Sequence, residues 1–246
     1  MDLLTLLARR LFGEVRDISL GYTSQEMLDR RTIMMLGAGA ALATAAGAVQ
    51  AGPEADAARW QPAAEPLDAW LDRPGSRHRL AFDTTTAAGL QAAVRYADNY
   101  FIANKSAYGL GADELAVVII VRHLSTPFGY NDAMWARYGK ILVDLLNLAG
   151  RQAVDAAHAN PLGAAAAGSP GQTTLATLAA KGTRFAVCGM ATQEMAGMIA
   201  KAAKQDADAV KKELTSNLVD GAVLVPAGIV SVNRVQEHGY ALASAG

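Results

Sequence analysis

Cys188 is the residue in this chain best suited to chemistry. It follows the apolar run Phe185-Ala-Val187 and precedes Gly189 and a helical pattern expected to begin near Thr192. A thiol between a strand end and a helix start faces orphan backbone amides and the positive end of the helix dipole, which favour an anion. Thiolate is the nucleophilic form of cysteine, and it is the form that attacks sulfane sulfur or holds a persulfide. The same placement also suits a small buried hydrophobe, the commonest role of an unpaired cysteine. Both readings stay open at this stage.

His123 ends the most apolar stretch, Leu115 to Val121, where an imidazole could serve as acid, base or ligand near neutral pH. It would equally serve as a structural hydrogen-bonding cap. Asp83, Thr84 and Ser125 are polar residues at two such strand ends, and Gly189 permits a tight turn after Cys188. These residues form the expected ligand-binding set around Cys188. The stretch Ser125 to Trp135 reads either as a lid or as a loop whose Tyr130 and Trp135 pack on the sheet. Met190, Met195 and Met198 read as a core stripe, and Asn131 or Asp132 as a helix cap.

Other chemistries find no support. The chain has one cysteine, which excludes an internal disulfide framework, and its four histidines (78, 123, 158, 238) lack metal-ligand spacing, so no metal site is expected. No phosphate-cradling glycine loop, Gly-x-Ser-x-Gly elbow or paired-carboxylate signature occurs, and no cofactor is expected. A formal net charge of −1 leaves no basic footprint for nucleic acid.

The elements that would position these residues alternate regularly. Strands are expected at 78–82, 115–121, 184–187 and 222–225, with an edge strand at 240–243. Helices are expected from the Asp83-Thr84-Thr85 start signal to Gly109, over 133–148 and 173–180, from near Thr192 and continued or restarted through Asp206 to Leu218, and from Pro226 to His238. Alternation of this kind predicts one α/β domain, a mostly parallel five-stranded sheet covered by helices on both faces. In open sheets of this class ligands bind outside the carboxyl ends of the strands. The four strand ends, 83–85, 122–126, 188–189 and 226–228, would then share one crevice.

The N-terminal third reads differently. Arg30-Arg31 precede an uncharged Ala- and Gly-rich stretch that ends at Val49-Gln50-Ala51, the pattern of a secretory signal with small residues before its cleavage site. The arginine pair and the weak hydrophobicity favour the twin-arginine route. The apolar stretch is roughly 16 residues, short of a membrane span, so contact with the membrane is expected only during export; an uncleaved anchor is the alternative. The organisation is then a signal segment over 1–51, a Pro- and Ala-rich linker over 52–76 and the domain over 77–246, with the periplasm as the expected compartment.

Two stretches carry a family resemblance. Thr183-Arg-Phe-Ala-Val-Cys188-Gly-Met-Ala-Thr192 resembles the strand of the DsrE/DsrF sulfur-relay family that ends in its sulfur-binding cysteine. Leu224-Val-Pro-Ala-Gly-Ile-Val-Ser-Val-Asn-Arg-Val-Gln-Glu-His-Gly-Tyr240 resembles that family's last helix and the approach to its final strand. The similarity covers about residues 77–243. It implies a three-layer α/β/α fold, homo-oligomers or a sulfur-relay partner protein, small sulfur species as substrates, and a persulfide on Cys188. The chain departs from the family in its long Ser125–Lys181 segment and in having no second cysteine.

Overall fold

The structure, a computed structural model, describes residues 61–150, 156–163 and 172–245. Arg30, Arg31 and Ala51, read from the sequence as parts of a signal, lie outside the described residues. Five strands form one sheet: β1 (His78–Thr84), β2 (Leu115–Val121), β3 (Arg184–Cys188), β4 (Ala222–Val225) and β5 (Ala241–Ser244). Their order is β4-β3-β2-β1-β5 and every pairing is parallel. Among the described residues six helices flank or connect them: α1 (Ala87–Tyr108), α2 (Asp132–Leu145), α3 (Leu175–Ala180), α4 (Gly189–Ala203), α5 (Ala207–Ser216) and α6 (Gly228–Glu237). The arrangement is the expected three-layer α/β/α sandwich, and its sheet is wholly parallel.

β2 shows why. All seven of its residues are apolar and all are buried, which fits a central strand covered on both faces. Alternate side chains serve alternate faces. Val117, Ile119 and Val121 join Phe82, Phe185 and Val187 in a core shared with α1 to α5. Ala116, Val118 and Ile120 face the other way, with Ala81, Ala186 and Val225. That second layer is thin. Val235 of α6, Tyr240 and Leu71 close it, with Trp70 and Val232 packed alongside.

Leu71 and Trp70 belong to a 3-10 turn, Pro66–Leu71, inside the stretch read as linker. The linker therefore ends earlier than residue 76. The turn is held because the second sheet face would otherwise lose its cover. The Tyr240 hydroxyl donates to the Leu71 carbonyl at 2.8 Å, Arg234 Nε donates to Asp68 at 2.5 Å, and Arg73 Nη1 donates to the Gly182 carbonyl at 2.9 Å.

Three helix starts differ from expectation. Asp83 and Thr84 stay in β1, paired with Ile120 and Val121, and Thr86 caps α1 by accepting the Gly89 amide at 3.0 Å. α4 begins at Gly189 rather than near Thr192, directly on Cys188. α6 begins at Gly228, two residues beyond Pro226. The cap of α2 is Asn131, which accepts the Met134 amide at 3.3 Å. Among the described residues no helix is long and apolar enough to cross a membrane.

Candidate functional site

Parallel strands put all carboxyl ends on one side, so the expected crevice residues do share an edge. The register places them in a row. Val121 pairs with Val187 and Cys188 pairs with Val225; Arg122, one residue past Val121, is thus the neighbour of Cys188 on the next strand. Asp83 lies one strand further along.

Cys188 is itself the N-cap of α4. Its Sγ accepts the Ala191 amide at 3.4 Å, so the sulfur occupies the position where a serine or aspartate oxygen usually sits. Gly189 makes this possible. A Cβ there would lie 2.8 Å from the Val225 carbonyl oxygen and 3.1 Å from that of Pro226. Only glycine lets the first turn of α4 come so close to the end of β4. The thiol is nonetheless enclosed, with Cys188 7% exposed.

Arg122 supplies the charge at this edge. Its Nε and Nη2 donate to the two carboxylate oxygens of Asp83 at 2.7 and 2.8 Å, a two-pronged pair. The Asp83 hydrogen bonds hold the guanidinium pKa above its ordinary value against the opposing effect of burial; the charges of Asp83 and of Cys188 add to the rise. Arg122 therefore lies within electrostatic reach of the thiol. The start of α6 rests on it, since a Cβ at Gly228 would sit 2.4 Å from Arg122 Cβ. Ala227, the N-cap of α6, offers no side-chain hydrogen bond to that first turn. Two helix starts and one cation thus surround this part of the edge.

Tyr130 closes the site from beneath. Its hydroxyl donates to Thr192 Oγ1 at 3.1 Å, and burial pushes its pKa far up. It remains a neutral donor throughout the useful pH range.

The chain matches no family model, no curated protein and no solved structure. What the edge can do therefore rests on its own geometry.

The remaining expected residues fare unequally. Thr84 and Ser125 are fully buried and their hydroxyls are taken up internally. Thr84 donates to the Ile120 carbonyl at 2.7 Å; Ser125 Oγ lies 2.8 Å from the Arg122 carbonyl oxygen, 3.0 Å from that of Thr84 and 3.0 Å from Thr84 Oγ1. They tie β1 and β2 together at the edge and present no group to a ligand. His123 is exposed and left-handed, with φ +55°, in the 3-10 turn His123–Gly129. The residues after Leu124 in that turn are buried, as are Tyr130 and Trp135. This stretch packs into the core and is no lid. Met195 is buried as expected, but Met190 (64% exposed) and Met198 (37%) are not core.

Arg122 was legible only as a charged residue after an apolar strand, and nothing in the sequence ties it to Asp83 or Cys188. A groove of 580 Å³ beyond the open edge of β4 left still less trace. Leu67, Trp70, Met190, Leu224, Val225 and Pro226 form its apolar walls, and they come from three separate parts of the chain. Among the described residues no group of three or more His, Cys, Asp or Glu converges as a metal site would.

Proposed function

We propose that this is an exported sulfur-handling protein of the DsrE/DsrF kind, in which Cys188 accepts sulfane sulfur and carries it as a persulfide. The observation that supports this reading is the seat of Cys188: its Sγ accepts the Ala191 amide at the first turn of α4. An anionic sulfur gains there from the helix dipole and the amide hydrogen bond, with Arg122 in electrostatic reach.

The transfer balances without an outside oxidant. The Cys188 thiolate attacks the outer sulfur of a polysulfide or of thiosulfate. An S–S bond to Cys188 forms as the donor's own S–S bond breaks, and the donor remnant leaves with the bonding pair, as sulfite in the case of thiosulfate. The proton of the thiol goes to solvent beforehand. Asp83 holds Arg122 in place, and Gly189 holds the amides of α4 in place. The hydroxyls of Thr84 and Ser125 keep the strand ends rigid. The donor, a sulfur-relay partner and a homo-oligomeric state belong to this proposal as expectations of the family resemblance.

A second reading has one observation in its favour. Cys188 is nearly enclosed while an apolar groove lies open next to it, which suits a non-catalytic module of the same fold that binds a ligand or partner. Alkylation separates the two. A carrier reacts with iodoacetamide at Cys188 in the folded protein, and at a rate that rises as thiolate forms. If Cys188 reacts only after urea unfolding, the carrier reading fails and the binding module stands.

A further inference from the structure

The opposite end of the sheet carries a feature that sulfur transfer does not use. At the amino edge a pocket of 220 Å³ is lined by Trp70, Asp72, Arg73, Arg184 and Tyr240, with Gly182 at its floor. Arg73 is firmly seated. Its Nη1 and Nη2 donate to the Gly182 and Ala112 carbonyls at 2.9 and 3.1 Å. A Cβ at Gly182 would fall 2.4 Å from Arg73 Nη1, and Gly182 has φ +89°; the backbone is shaped to receive this guanidinium. Arg79 stands behind the wall, 5.8 Å from the centroid of the Tyr240 ring, with its own hydrogen bonds to Ser76 Oγ and the His238 carbonyl. Arg184 is exposed at the rim.

These three guanidiniums share one property. Among the described residues none has a carboxylate within ion-pair distance, whereas Arg122, Arg137 and Arg234 each do. The one carboxylate at the pocket, Asp72, lies 2.9 Å from His238 Nδ1. Carbonyl hydrogen bonds orient Arg73 and Arg79 but do not neutralise them. The pocket therefore concentrates positive charge in a concave site, and planar guanidinium forks match oxyanions closely.

We propose that this pocket binds a small oxyanion, sulfate- or phosphate-like, between Arg73 and Arg184. Arg79 adds long-range attraction through the wall. The site is separate from Cys188 and does not depend on sulfur transfer.

The test is a titration of the full chain with sodium sulfate and sodium phosphate, with chloride holding the ionic strength constant. It is read by calorimetry and by tryptophan fluorescence, since Trp70 lines the site. Saturable binding of one anion per chain is expected, weakened about tenfold or more in Arg184→Gln. Arg184 is exposed, so this variant should melt at the wild-type temperature without added anion. Cys188→Ser should bind as wild type does, which keeps the result independent of the carrier reading. A response that stays linear with concentration, or wild-type affinity retained in both Arg184→Gln and Arg73→Gln, would overturn the proposal.

Discussion

Replacing glycine by alanine at two places in α4 should have opposite effects, and the sign tests how the site is built. At Gly189 the new methyl group meets main-chain oxygens of Val225 and Pro226 at 2.8 and 3.1 Å. Neither oxygen can rotate away, so α4 must shift from β4 or the strand end must bend. Overpacking of this kind costs about 1–3 kcal/mol. At Gly197, eight residues along the same helix, nothing lies within 4 Å of the added Cβ. Alanine there gains about 0.5–1 kcal/mol from helix propensity and a less flexible unfolded chain. In a domain of this size each kcal/mol moves the melting temperature by about 2–4 °C. Gly189→Ala should therefore melt about 2–12 °C lower and Gly197→Ala about 1–4 °C higher. Urea denaturation followed by circular dichroism should give unchanged slopes and shifted midpoints. If Gly189→Ala is as stable as wild type, the close seating of α4 on β4 is wrong, and with it the placement of the Cys188 sulfur on the Ala191 amide.

Other predictions follow from the same contacts. Asp83→Asn removes the charge partner of Arg122 and should cost about 1–3 kcal/mol in urea unfolding. His123→Gly relieves a left-handed backbone at an exposed residue and should be neutral or stabilising by up to about 1 kcal/mol, measured by thermal melting; a loss above that would mean the imidazole has a structural partner. Burial works to raise the Asp98 pKa, but hydrogen bonds from Lys181 and Thr173 outweigh it and hold the carboxyl below its ordinary value. A depressed folded-state pKa gives stability that is full above the unfolded value and is lost as pH falls through the folded one. The stability difference between wild type and Asp98→Asn should thus be greatest near neutral pH and shrink below about pH 4; a difference that does not change with pH would refute it.

The fold was largely written in periodicity. The unbroken apolar run Leu115 to Val121 admits little besides a central parallel strand, and the helical spacing of Leu90, Ala93, Val94, Ala97 and Phe101 returns as the buried face of α1. What periodicity did not carry was any contact between residues distant in sequence. Thr84 and Ser125 have polar side chains at strand ends, and only the fold shows that each is spent on the other strand's main chain. Arg122 reads as a solvated charge until Asp83, 39 residues earlier, is found opposite it. The Pro- and Ala-rich stretch before β1 has the composition of a linker, yet Trp70 and Leu71 are needed to cover a sheet face that α6 alone leaves open. Cys188 was legible as a strand-end thiol, reactive or buried, and only the fold decides its enclosure, because burial there depends on how closely α4 and α6 approach through Gly189 and Gly228.

Intact mass spectrometry of the folded protein after exposure to polysulfide or thiosulfate tests sulfur carriage on Cys188 most directly. A sulfur carrier gives a product heavier by whole sulfur atoms, removed by a reductant, mapped to Cys188 and absent from Cys188→Ser. Recovery of unmodified protein under native conditions, with an adduct appearing only once the chain is unfolded, would contradict it.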